Sequence, residues 1–74
     1  MDLPERIVVD KAIRSGRPVI RGTRVPVDLI LGKLAGGMTY EEVIAEYAIP
    51  REDILAVLEY AAGTIGEERL HVAM

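Results

Sequence analysis

Seventy-four residues, half of them apolar and 28% charged, describe one small domain, because a chain of this size buries only about 60% of its unfolded surface. The absence of cysteine and the presence of a single histidine exclude a disulfide framework, a thiolate metal site and a His-rich zinc cluster, and point to a reducing, cytoplasmic setting. No apolar run approaches the roughly 20 residues that cross a bilayer, and residues 1–20 lack a signal-peptide core, so neither secretion nor a membrane span is expected.

The net charge of −3 hides an asymmetry. Residues 1–37 carry seven basic side chains against four acidic ones, and residues 38–74 carry two against eight, which makes the halves +3 and −6. Within Arg6–Arg24 there are six positive charges and one negative, Asp10. A basic segment is thus joined to an acidic body, suited either to a polyanion at one end and a basic partner at the other, or to plain solvation of both. At about 0.05–0.15 kcal/mol per residue the fold is worth roughly 4–11 kcal/mol, so a lone monomer is marginal and a homodimer or complex is expected.

In chain order, Ile7-Val8-Val9, Val19-Ile20 and Thr23-Arg24-Val25 are β-branched and punctuated by Ser15-Gly16, Pro18, Gly22 and Pro26, the pattern of a hairpin or arm over residues 1–26. Gly22 is placed for a positive-φ turn between Ile20 and Val25. From Val27 the period becomes helical: Val27, Ile30, Leu31, Leu34 and Met38 form one stripe, and Gly36-Gly37 ends a helix of residues 27–35. Thr39-Tyr-Glu-Glu42 reads as a capping box opening a second helix, with Tyr40, Val43, Ile44 and Tyr47 on one face. Ala48-Ile49-Pro50 stops it, and Pro50 is suited to start a third helix over Arg51–Ala62. That helix is expected to bury Ile54, Leu55, Val57, Leu58 and Ala61, to expose Glu52, Asp53, Ala56 and Glu59, and to end at Gly63, leaving 63–74 as a tail. The three-helix core then spans 27–62 within a single domain of 1–74.

Two helices joined by a three-residue turn have the spacing of a helix-turn-helix, a spacing also common in proteins that never touch DNA. The third helix is poorly equipped as a reader, since its expected outer positions offer no Arg, Lys, Asn or Gln for a base edge and repel phosphates. Any affinity for DNA must come from the basic arm, where six cations give a log–log salt slope of at most about −5.

The string Ser15-Gly-Arg-Pro-Val-Ile-Arg-Gly-Thr-Arg-Val-Pro-Val27, the Ile/Leu-rich helix after it, Gly36-Gly-Met-Thr-Tyr-Glu-Glu42, Tyr47 and Glu52-Asp-Ile-Leu-Ala-Val-Leu-Glu-Tyr-Ala61 together resemble the prokaryotic family of unknown function DUF433 over about residues 6–62. The most restrictive part is Gly16-Arg-Pro18 with Arg21-Gly-Thr-Arg-Val-Pro26. The resemblance implies a mainly α fold: a homeodomain-like or winged-helix three-helix bundle with a helix-turn-helix and a short N-terminal β-hairpin arm. It also implies the antitoxin of a type II toxin–antitoxin pair, neutralising a PIN-like ribonuclease toxin. Gly16, Pro18, Gly22, Thr23, Arg24 and Pro26 match the family's signature positions. Pro50 departs from the Ser or Thr that often opens the third helix, so a side-chain cap is missing there.

Of these positions, Gly16, Pro18, Gly22 and Pro26 set backbone geometry. Arg21 and Arg24 flank a Gly-Thr turn and are suited either to hold a phosphate, with Thr23, Arg14 and Arg17 beside them, or to pair with the acidic helices. Tyr40 and Tyr47 read as core, and Tyr60, Arg69 and Leu70 as candidate partner contacts, with Arg69 or an arm arginine able to block the acidic metal site of a nuclease. His71 stands without a partner ligand, and Ser15, the sole serine, has no assignable base. No enzyme constellation and no cofactor are expected. A stand-alone DNA-binding regulator is the alternative to the antitoxin.

Overall fold

The structure is a computed structural model that describes residues 3–73, with side chains over residues 3–67. Two short strands, β1 (Ile7–Val8) and β2 (Val19–Ile20), are followed by three helices, α1 (Val27–Ala35), α2 (Tyr40–Tyr47) and α3 (Arg51–Ala73). The chain is mainly helical with a small N-terminal antiparallel sheet. No described helix is long and apolar enough to cross a membrane.

The strands pair with Ile7 opposite Ile20 and Val8 opposite Val19. Between them, the Asp10 carboxylate accepts from the Ala12 amide at 2.9 Å, and Arg14, Ser15 and Gly16 follow at φ +53, +57 and +84. After β2 the chain reverses through Ile20–Thr23, with the Thr23 amide donating to the Ile20 carbonyl at 3.0 Å and Gly22 at φ +80. A positive φ at the third residue is the type II pattern expected of a glycine there. The returning segment 23–26 lies against β2, through the Ile20 amide on the Val25 carbonyl and the Val27 amide on the Pro18 carbonyl, both 3.0 Å. It makes only a bridge, Val19 with Pro26, where the residues predict a Thr23–Val25 strand, because the Val25 amide donates to the Thr23 hydroxyl instead of across to Ile20, whose carbonyl is taken by the Thr23 amide and hydroxyl.

Helix α1 ends as the glycine pair predicts: Gly36 is the C-cap, Gly37 sits at φ +104, and the Met38 amide reaches back to the Lys33 carbonyl at 3.1 Å. The capping box of α2 is complete, with the Thr39 Oγ1 accepting from the Glu42 amide at 3.1 Å and a Glu42 carboxylate oxygen accepting from the Thr39 amide at 2.8 Å. Ala48 then turns the chain at φ 54, ψ 46, a left-handed conformation. An alanine held there is strained by roughly 1 kcal/mol. Ala48→Gly is therefore expected to stabilise the protein by about 0.5–1 kcal/mol, visible as a Tm rise of roughly 4 °C; an unchanged or lowered Tm would contradict the assignment.

Helix α3 departs from expectation in extent and in face. It continues through Gly63 and Gly66 to Ala73, so residues 63–73 are helix rather than an irregular tail. A glycine inside a helix costs about 1 kcal/mol relative to alanine, which a helix already nucleated over three turns tolerates. Gly36-Gly37 stops α1 because a positive-φ residue follows at once, and position, not identity, separates the two cases. On its inner face, Asp53, Ile54, Ala56 and Val57 are buried, while Leu55 is 49% exposed. At 100° per residue Leu55 lies opposite the centre of that buried arc, and Asp53 and Ala56 lie inside it.

The core gathers Ile7 and Ile20 from the hairpin, Val27 and Ile30 from α1, Val43 from α2, Ile49 from the connecting turn, and Ile54, Ala56 and Val57 from α3. Tyr40, Tyr47, Leu58 and Tyr60 pack partly buried against it. Helix α3 is roughly 34 Å long at 1.5 Å per residue, and its described side chains beyond Tyr60, residues 61–67, do not join this cluster.

Candidate functional site

The register of the hairpin decides where the basic residues go. Because Ile7 faces Ile20, Arg6 lies opposite Arg21, and the Arg21 amide donates to the Arg6 carbonyl at 2.7 Å. The return of 23–26 along β2 sets Arg24 opposite Arg21 in turn. Lys11, Arg14 and Arg17 belong to the connection at the other end of the strands. One basic run in sequence thus becomes two groups at opposite ends of the hairpin.

Within each group the cations differ in how far they are committed. Arg6 donates from Nη1 to the Asp53 carboxylate at 2.8 Å, an ion pair in which the arginine is half exposed and the aspartate 8% exposed. Arg17 pairs with Asp28 in the first turn of α1. Arg21 donates from Nε to the Glu5 carbonyl at 2.7 Å, leaving its two terminal nitrogens available. Lys11, Arg14 and Arg24 are exposed and make no side-chain hydrogen bond or ion pair among the described residues. Of the two readings open for Arg21 and Arg24, neither residue pairs with an acidic helix among the described residues.

Thr23 is engaged inside its own turn: its hydroxyl donates to the Ile20 carbonyl at 2.7 Å and accepts from the Val25 amide at 3.0 Å. It shapes the turn that carries Arg21 and Arg24. Tyr60 is partly buried against the core. Arg69, Leu70 and His71 lie on α3, and their side chains fall outside the described residues.

Three features carried no readable signal in the sequence. The first is the Arg6–Asp53 pair, which ties β1 to α3 across 47 positions. The second is Arg51, which sits 4.8 Å over the Tyr40 ring and 3.8 Å from Glu41, fastening the start of α3 to the start of α2. The third is a cleft of about 370 Å³ whose lining includes Glu5, Arg6, Glu52, Leu55 and Glu59. A neighbouring cleft of about 350 Å³ is lined by Glu5, Arg6, Arg21, Pro50 and Asp53.

Residues 7–61, which hold the hairpin, both turns and the packed part of α3, match the model of a family described as a protein of unknown function, DUF433. The chain belongs to the DUF433 family. An uncharacterized protein of Archaeoglobus fulgidus is 62% identical to it over 24 residues, which are 32% of this chain and 67% of that protein. No solved structure matches. The DUF433 match ends one residue after Tyr60, the last described residue of α3 to pack on the core, so residues 62–73 of the helix lie outside the matched region.

Proposed function

We propose that the protein is the antitoxin of a type II toxin–antitoxin pair: a cytoplasmic, non-enzymatic binding protein that occupies a PIN-like ribonuclease toxin, with operator binding by the basic arm as a second activity. The observation that carries this reading is α3 beyond Tyr60. A helical extension that carries Ile65, 56% exposed, is a ready-made segment for the groove of a partner, held in shape by the half of the helix that packs on the core. Arg69 and Leu70 lie on this part of the chain with Tyr60 at its root, and an arginine delivered into an acidic metal site would block it through charge-assisted hydrogen bonds.

The test is inhibition of such a nuclease, encoded beside this chain, by the full-length protein and its variants. Arg69→Ala and Ile65→Asp are expected to raise the concentration needed for half inhibition at least about tenfold, the equivalent of losing one good contact. If these variants, and Arg21→Ala and Arg24→Ala as well, all inhibit as the wild type does, the mechanism is wrong.

The unpaired cations of the arm favour the second reading, a helix-turn-helix regulator that binds DNA. Four of the six cations, Lys11, Arg14, Arg21 and Arg24, are available, so the log–log salt slope is expected near −3.6 per chain at about 0.9 per phosphate, shallower than six would give. Binding measured across a salt series checks this. A slope of −5 or steeper would mean that the Arg6–Asp53 and Arg17–Asp28 pairs open on DNA. Glu52 and Glu59 on the exposed side of α3 oppose its entry into the major groove.

A further inference from the structure

The cleft beside α3 holds an imbalance that the rest of the molecule does not resolve. Leu55, 49% exposed, stands in it between Glu52 and Glu59 on the same helix face and Glu5 across the gap. None of these three carboxylates has an ion-pair partner among the described residues. Arg6, the cation in the lining, is already held by Asp53. An occupant of this cleft must bring an apolar side chain flanked by positive charge.

The chain carries such an element. In the β1–β2 connection Val9 is 48% exposed, with Lys11 and Arg14 exposed and unpaired nearby. Asp10, the acidic residue among them, turns its carboxylate back onto the Ala12 amide. Backbone bonds from Ile13 to Asp10, Gly16 to Ile13 and Arg17 to Arg14, at 2.8–3.2 Å, hold this loop in shape before any partner arrives. A preformed loop loses little freedom on docking.

Pro4–Arg6 precede β1 and the Val9–Arg14 loop follows it, so the cleft and the loop lie toward opposite ends of the hairpin and one molecule does not fill its own cleft. Two copies can exchange them reciprocally, which makes the same contact twice about a two-fold axis. We infer that the protein forms a two-fold dimer in which the Val9–Arg14 loop of each copy seats in the Leu55 cleft of the other. This inference concerns self-association and is independent of the toxin reading; the −3.6 salt slope belongs to the monomer, because a dimer that holds Lys11 and Arg14 in its contacts leaves Arg21 and Arg24 for DNA, a slope near −1.8 per chain at about 0.9 per phosphate.

Charge exchange tests it. Sedimentation of the full chain at low salt is expected to show a dimer that weakens as salt rises. Glu52→Lys with Glu59→Lys reverses the cleft, and Lys11→Glu with Arg14→Glu reverses the loop. Each pair is expected to raise the dimer dissociation constant at least about tenfold, with the helical circular dichroism unchanged. Mixing the two variants in equal amounts restores opposite charge at both contacts, so a heterodimer is expected where neither variant dimerises alone. Should the cleft variant fail to fold, Glu52→Gln with Glu59→Gln serves in its place for the loss of dimer. A monomeric wild type, reversed variants that remain dimeric, or a mixture that stays monomeric would each overturn the inference.

Discussion

Replacing Ile54 by alanine is expected to lower stability by about 2–5 kcal/mol, the range for deleting a buried branched side chain and leaving a cavity. Ile54 is fully buried where the hairpin, α1, α2 and α3 meet, with Ile7, Ile20, Ile30 and Val43 in the same cluster, so no single element can shift to fill the gap. A chain of this size has roughly 4–11 kcal/mol in total. The variant should unfold at least about 10 °C below the wild type, as thermal circular dichroism would show. A loss under about 1 kcal/mol would mean that the packing is looser than described.

The second large effect is expected at Arg6. Arg6→Ala leaves the Asp53 carboxylate buried without its partner, and because the arginine is half exposed the cost is set below that of a fully buried pair, at about 2 kcal/mol. Asp53 sits in the first turn of α3, where the free backbone amides of a helix N-terminus favour a negative charge and temper the loss. Asp53→Asn removes the charge and keeps the shape, and should cost about 1 kcal/mol. The double variant is the decisive comparison: a combined loss well below the sum of the two identifies a direct coupling, and strict additivity would show that the pair does not contribute as such.

The parts of the fold that were legible in the sequence are those fixed by neighbours in the chain. Gly36-Gly37, the Thr39–Glu42 box and the Gly22 turn each solve a backbone problem within four residues, and each stands where its residues predict. The features set by distant partners were not legible. Asp53 reads as a solvated acid because nothing near it announces Arg6, and Leu55 reads as core by its hydrophobicity although helix phase turns it outward. Gly63 does not end α3, because a glycine stops a helix only together with a left-handed turn. For the candidate site, the basic residues were visible as a run, but their division into two groups depends on strand register, and which of them remain unpaired depends on Asp53 and Asp28.

The tie between Arg6 and Asp53 also bears on the order in which the molecule assembles. Bringing together residues 47 positions apart carries a chain-closure entropy of roughly 3 kcal/mol by the logarithmic rule. The three helices meet through much shorter connections, so they can form a folding nucleus before β1 docks. Changes at Arg6 should then accelerate unfolding and leave the folding rate nearly untouched, whereas changes at Val43 or Val57 should slow folding. In kinetic terms the amino-terminal strand is the latch of this protein: last to close, first to open.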